Sequence, residues 1–257
     1  MTDSRQVVTI IQARMCSTRL PGKVMMDISG KPVLWHVVDR VKRAKQSGTA
    51  VIATTDEAED QVIVDFAAKD GIPVSRGSQD DVLDRYYRAA QAFQADPIVR
   101  VTADCPLLDP DIFDEVVNFY FKDNYDFVSN THPPTFPDGL DTEVFSFKAL
   151  ERAWHEAQLH SEREHVTPYL YNHPEIFRLG NVTCSEDLSN LRCTVDEPRD
   201  LEFARAVFQR LGMSFGMAQV LNLLREVPEL ENLNAGIERD AGYKKSLRED
   251  GLSEANK

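Results

Sequence analysis

Three cations follow the first apolar run of the chain. In IIQARMCSTRLPGK (residues 10–23), Arg14, Arg19 and Lys23 lie beyond Ile10 and Ile11, with Ser17 and Thr18 between them and a Pro-Gly turn at 21–22. Their spacing fits no helical period, which separates them from Arg40 to Lys45, the basic face of an amphipathic pattern. A guanidinium grips phosphate through a planar fork and an ammonium acts as a point charge, so the loop has the ingredients of a polyphosphate cradle. It is not a Walker A loop. GxxxxGK[ST] would need Gly where Ser17 stands and Ser or Thr where Val24 stands, and GxGxxG is absent as well.

Two carboxylates recur in a matching context. Asp104 ends the apolar run PIVRVTAD (97–104) and Asp196 ends LRCTVD (191–196), and each is followed within two residues by proline and then a helical pattern. Each reads either as a helix N-cap or as a ligand for Mg²⁺, which favours one or two carboxylates together with phosphate oxygens and water.

The elements that must carry these residues alternate. Strand-like runs at 7–13, 50–55, 72–77 and 97–104 are separated by helical patterns at 32–44, 59–71, 80–93 and 110–121. Such alternation predicts an α/β fold, a Rossmann-like mostly parallel sheet with helices on both faces. Ligands of such sheets bind beyond the carboxyl ends of the strands, where the cationic loop and Asp104 fall. After residue 124 the pattern predicts strands in YDFVSN and DTEVFSF, a helix in SFKALERAWHEAQ, strands at 177–183 and 191–196, and helices at 197–212 and 216–226. A weakly ordered polar tail follows from about 240. We read residues 1–240 as one domain, with a nucleotide-binding half at 7–124. An inserted substrate or oligomerisation lobe occupies 125–212, and 241–257 form the tail.

Composition narrows the function classes. The net charge is −13 over 257 residues, which argues against a general nucleic-acid binder, yet residues 1–50 carry +6. No apolar run approaches the roughly 20 residues that cross a bilayer, and MTDSRQ does not read as a signal peptide. Cys16, Cys105, Cys184 and Cys193 show no CxxC spacing, so reduced thiols in a cytoplasmic protein are expected. There is no GxSxG, and no cysteine has an adjacent basic partner, so no protein nucleophile is expected. His160 and His165 miss the i,i+4 spacing of a helical zinc pair.

QARMCSTRLPGK resembles the signature of the cytidylyltransferase family that activates acidic sugars. That family includes the CMP-sialic-acid and CMP-3-deoxy-manno-octulosonate synthetases, and the nearest branch is the spore coat polysaccharide biosynthesis type. The resemblance continues through ATTD (53–56), GSQDDVLDRYYRAA (77–90), VRVTADCPLLDP (99–110), FPDGLDTEVF (136–145), EREHVTPY (162–169) and TVDEPRDLEF (194–203). It departs at Cys16, where a smaller residue is usual. It implies a nucleotide-diphospho-sugar transferase type of fold and Mg²⁺-dependent transfer of CMP from CTP to a 2-keto-sugar acid, with pyrophosphate release, in surface polysaccharide biosynthesis.

By the same resemblance, Ala13, Arg14, Ser17, Thr18, Arg19, Lys23, Thr54, Asp56 and Arg85 would contact CTP. Arg14, Lys23 and Asp104 would be catalytic, and Asp104 and Asp196 would hold the metal. Arg85 reads equally as a helix-surface ion-pair partner, while Asp81 and Asp84 suit a helix N-terminus. For the acceptor, Asp138 and Glu143 in FPDGLDTEVF and Arg163 and His165 in HSEREHVTPY are the candidates, with an oligomer contact as the competing role for the latter pair. The expected partners are CTP, a small acidic acceptor and a second copy of the chain, with neither nucleic acid nor membrane. A different acceptor, a glycosyltransferase or a non-catalytic nucleotide-binding subunit remain the alternatives. Asp109-Pro110-Asp111 lies at a helix start, unlike the DxD pair of glycosyltransferases.

Overall fold

The structure is a computed structural model that describes residues 6–252. β1 (Gln6–Gln12) is followed by the cationic loop, a short hairpin of β2 (Asp27–Ile28) and β3 (Lys31–Pro32), and α1 (Val33–Arg43). Alternation then proceeds through β4 (Thr49–Thr55), α2 (Gln61–Lys69), β5 (Val74–Gly77), α3 (Val82–Ala92), β6 (Ala95–Thr102) and α4 (Pro110–Tyr120). The second half comprises β7 (Phe127–Ser129), β8 (Glu143–Phe145), α5 (Phe147–Glu156), α6 (His160–His165), α7 (Pro168–Tyr171) and β9 (Leu179–Asn181). α8 (Pro198–Leu211), α9 (Met217–Glu226) and α10 (Ala241–Glu249) complete it.

Seven strands form one sheet in the order β5-β4-β1-β6-β8-β7-β9. β5, β4, β1 and β6 are mutually parallel, with Ile10 of β1 registered between Val51 and Arg100. β8 runs antiparallel to both β6 and β7, so the second half extends the same sheet rather than building its own. Both faces are covered, which is why the central strands read as continuous apolar runs. Successive residues go to opposite sides. Ile11, Ile52 and Val99 pack with α1, α2 and α4, whereas Ile10, Val51 and Ile98 pack with α3 and α5. A third cluster joins α8 and α9 to Ile28 and Val33.

Two expectations change. Residues 191–196 form no strand; Arg192 makes only an isolated bridge with Asp138. Their backbone bonds are shared between two loops, Cys193 N–H donating to Asp138 O and Val195 N–H to Asp104 O, so no single ladder can form. The polar tail from 240 contains α10, which docks on α6 through buried Ser246 and Leu247; residues 253–257 lie outside the described residues. A nine-residue helix with one buried aliphatic side chain has too weak a periodic signal to be read locally.

Candidate active site

The loop after β1 is held in place by the protein's own groups. Asp60, buried at the start of α2, accepts a hydrogen bond from Met15 N–H at 2.6 Å and also binds Thr55. Gly22, at φ 73°, turns the chain so that its N–H reaches Met15 O at 2.8 Å, a conformation that favours glycine. Residues Lys23–Met25 then make one 3₁₀ turn that sends the Lys23 side chain under the loop. Asp60 carries no sequence motif; only an acid at a helix start hinted at it.

Lys23 is the centre of the site. Its Nζ donates to Asp104 Oδ2 at 2.6 Å and to Asp196 Oδ1 at 2.7 Å. Arg19 Nη2 lies 2.8 Å from the same Asp196 oxygen. Burial alone would push the Lys23 ammonium down, but the two carboxylates outweigh it and raise it. Burial likewise opposes ionisation of Asp104, and Lys23 reverses the effect, holding that carboxyl down to about 2.

Neither aspartate is a helix cap. α4 is capped by Asp109, which accepts from Asp111 N–H and Ile112 N–H, and the start of α8 is tied by Asp200, which accepts from the N–H groups of Asp196 and Glu197. Both side chains are therefore available to the rim. Asp196 is oriented by Arg192, a residue that sequence reasoning missed. The Arg192 guanidinium reaches Asp138 Oδ2 at 2.6 Å, Asp196 Oδ2 at 2.7 Å and Asp200 Oδ1 at 2.9 Å. The i, i+4 and i+8 spacing in LRCTVDEPRD was visible, but nothing local marked these three residues as one cluster.

The site opens into a cavity of about 960 Å³ beyond the carboxyl ends of β1 and β6. Ala13, Arg14, Ser17, Thr18, Arg19, Lys23, Arg85, Asp104 and Asp196 line it, as do Asp138, Glu143 and His165. Arg85 is buried, and its Nη1 donates to Ser78 O, so it is not a helix-surface residue.

Three expected contacts lie elsewhere. Thr54 is fully buried within β4, and its Oγ1 has no partner among the described residues. Asp56 points to solvent with 72% of its side chain exposed, 3.8 Å from Arg76. Arg163 faces away from the cavity: its Nε and Nη2 bind Asp81 and its Nη1 donates to Trp154 O and Ala157 O, tying α6 to the start of α3. Arg163 is not among the residues that line the cavity where the acceptor role expected it, and its partners make it a tie between helices.

On the side towards β8, carboxylates and arginines are paired. Glu143 accepts from Arg100 Nη1 at 2.5 Å and from Thr167 Oγ1 at 2.9 Å, Asp138 is held by Arg192, and Asp141 accepts from Arg239 Nη2 at 2.9 Å. His132 packs against Tyr171 with ring centroids 3.8 Å apart. His165 Nε2 lies 3.1 Å from Ser246 Oγ, which donates to Glu164. Hydrogen bonding from His165, against the opposing effect of burial, holds the Glu164 carboxyl down to about 2. Glu164 Oε1 in turn lies 3.8 Å from Arg14 Nη2.

Among the described residues no group of three or more His, Cys, Asp or Glu side chains could hold a metal by itself. Asp104 and Asp196 nevertheless converge on one cation, Lys23 Nζ, with hard oxygen donors. Two such carboxylates fit a Mg²⁺ ion whose remaining ligands are phosphate oxygens and water.

The profile of the cytidylyltransferase family matches residues 8–230. An uncharacterized protein of Methanocaldococcus jannaschii is 34% identical over 242 residues, 93% of this chain and 98% of that protein. The spore coat polysaccharide biosynthesis protein SpsF of Bacillus subtilis is 32% identical over 244 residues, 91% of this chain and 98% of that protein. The solved structure of a cytidylyltransferase from Leptospira borgpetersenii superposes with a TM-score of 0.86 at 33% identity, covering 91% of this chain and 100% of that one. Among the described residues no helix is long and apolar enough to cross a membrane. With three loop cations and two carboxylates gathered at one end of its parallel strands, this chain belongs to the cytidylyltransferase family and is a nucleotidyltransferase.

Proposed function

We propose that the protein transfers CMP from CTP to an acidic sugar, a 2-keto-sugar acid, with Mg²⁺ as cofactor and pyrophosphate as the second product. The observation that carries this reading is the convergence of Lys23 on Asp104 and Asp196, with Arg19 on the same carboxylate. Arg14, Arg19 and Lys23 bind the β- and γ-phosphates and stabilise the charge that develops on the departing pyrophosphate. Asp104 and Asp196 would hold Mg²⁺, which when bound neutralises charge on phosphate oxygens. An acceptor oxygen forms a bond to the α-phosphorus as the bond to pyrophosphate breaks, so catalysis is mainly positioning and charge stabilisation.

The pairing of Asp138, Asp141 and Glu143 with Arg192, Arg239 and Arg100 supports a polyhydroxylated acid as acceptor. Carboxylates accept from hydroxyl groups, and the arginines offset the repulsion that an acidic ligand would otherwise meet. The same reading makes the protein a cytoplasmic homodimer in surface polysaccharide biosynthesis, which sedimentation of the purified chain would test. The functional test is pyrophosphate release with CTP fixed, across 2-keto-sugar acids, phosphonates and sugar phosphates, with and without Mg²⁺. Release with a sugar acid, dependent on Mg²⁺ and absent with UTP, is expected. Release with sugar phosphates only, or with UTP in preference to CTP, overturns the reading.

A further inference from the structure

The acceptor hydroxyl must lose a proton as its oxygen bonds to phosphorus, and most carboxylates of the cavity are poorly placed to take it. Asp104 and Asp196 are committed to Lys23, and Asp196 also to Arg19 and Arg192. Glu143 has both oxygens engaged, by Arg100 and Thr167. Asp138 also lines the cavity, and burial raises its carboxyl to about 6, but its Oδ2 is held by the buried Arg192 and only 13% of its side chain is exposed. Glu164 is bound by Ser246 and stays ionised to low pH. Glu238, Asp240 and Glu249 sit at the mouth with half or more of each side chain in water.

Asp141, like Asp138, is paired through one oxygen, but it is the more open of the two. It lines the cavity with 33% of its side chain exposed, and only Oδ1 is taken, by Arg239. Oδ2 takes no part in the Arg239 pair. Arg239 is itself fixed, donating through Nη1 to Phe136 O at 3.1 Å, so it clamps the loop that carries Asp141. Arg239 lies beyond the family match at 8–230, in the segment leading to α10.

We propose that Asp141 is the general base that accepts the acceptor hydroxyl proton through Oδ2, and that Arg239 is the positioning residue that holds it. The inference rests on the proposed cytidylyl transfer. In that step the hydroxyl oxygen forms its bond to the α-phosphorus, the phosphorus–oxygen bond to pyrophosphate breaks with its electron pair leaving on pyrophosphate, and the proton passes to Asp141 and then to water. The charged and titratable groups facing Asp141 include Arg239 and Asp240 from the segment before α10, Asp138 from its own loop, Glu143 of β8, Cys105 after β6 and Cys193 from the 191–196 segment. Burial pushes the Asp141 carboxyl up, to about 7, against the opposing pull of Arg239. A base near neutrality combines ionisation with useful proton affinity.

The test is the pH dependence of pyrophosphate release for the wild type, D141N and R239Q, using the acceptor that the wild type turns over best, with CTP affinity measured by calorimetry. D141N should lose about 100-fold or more in kcat, keep its CTP affinity within about 2-fold, and lose the ascending limb near pH 7. R239Q removes a cation that favours the carboxylate, so its limb should move to higher pH; a merely structural role would lower activity without moving the limb. A D141N enzyme that keeps wild-type kcat or the limb overturns the base assignment alone, as does an unmoved limb in R239Q overturn the role of Arg239. Absence of release by the wild type from every acceptor overturns the transfer reading and the base together.

Discussion

Lys23 Nζ lies 2.7 Å from Asp196 Oδ1, an ion pair joining positions 173 residues apart. With the 2.6 Å contact to Asp104, it ties the loop after β1 to the end of β6 and to the approach to α8. Lys23 is therefore part of the fold as well as of the proposed phosphate site. Lys23→Ala leaves two carboxylates facing each other without their cation, and removing one partner of a buried ion pair costs about 3–5 kcal/mol. A lysine on a solvated loop could be removed with little loss of stability. The structure instead predicts a clear drop in urea midpoint together with loss of pyrophosphate release, and an unchanged midpoint would contradict it.

Asp104 sets an acid limit. Its folded-state value of about 2 lies below the ordinary 3.8, so its contribution is fully present above the unfolded value and is lost as pH falls from about 4 to 2. The size is on the order of 2 kcal/mol. Denaturant titrations at several pH values should show a shallower slope in that window for Asp104→Asn. Glu164 is depressed in the same direction, so Glu164→Gln should flatten the same window independently.

Arg192 should matter to activity without lining the cavity. Arg192→Ala removes the cation shared by Asp138, Asp196 and Asp200, leaving Asp138 without its ion pair, with an expected loss of about 3–5 kcal/mol. At temperatures where the variant remains folded, pyrophosphate release should still fall, because Asp196 loses its orientation. Wild-type turnover by a folded Arg192→Ala protein would show that Asp196 needs no such support.

Arg163 should behave in the opposite way. Its pair with Asp81 is partly exposed, so Arg163→Ala should cost about 1 kcal/mol or less in melting experiments. The KM values for nucleotide and acceptor should stay as in the wild type, and a selective rise in acceptor KM would favour the substrate role expected from sequence.

Gly139 sits at φ 96°, and a Cβ there would come within 2.5 Å of Thr194 N. Backbone cannot yield as a flexible side chain can, so Gly139→Ala must displace either the Asp138–Asp141 loop or residues 191–196. A loss of about 2 kcal/mol or more is expected, as judged by thermal unfolding. A variant as stable as the wild type would mean that the two segments part easily.

Sequence by itself determined the alternation of apolar strands and amphipathic helices, and with it the parallel half of the sheet. It also determined the chemistry of the loop at 14–23, because Arg14, Arg19 and Lys23 fit no helix face and follow a buried strand. These features are local: period and composition report which side of an element is buried. Tertiary structure alone decided which carboxylates meet. Asp104 and Asp196 could each have capped a helix until Asp109 and Asp200 filled those roles. Packing turned Arg163 towards Asp81 and exposed Asp56. It also set α10 and Arg239 against the cavity, where sequence suggested only a polar tail. Side-chain direction depends on the nearest partner of opposite charge, and that partner can lie anywhere in the chain, so no local pattern encodes it.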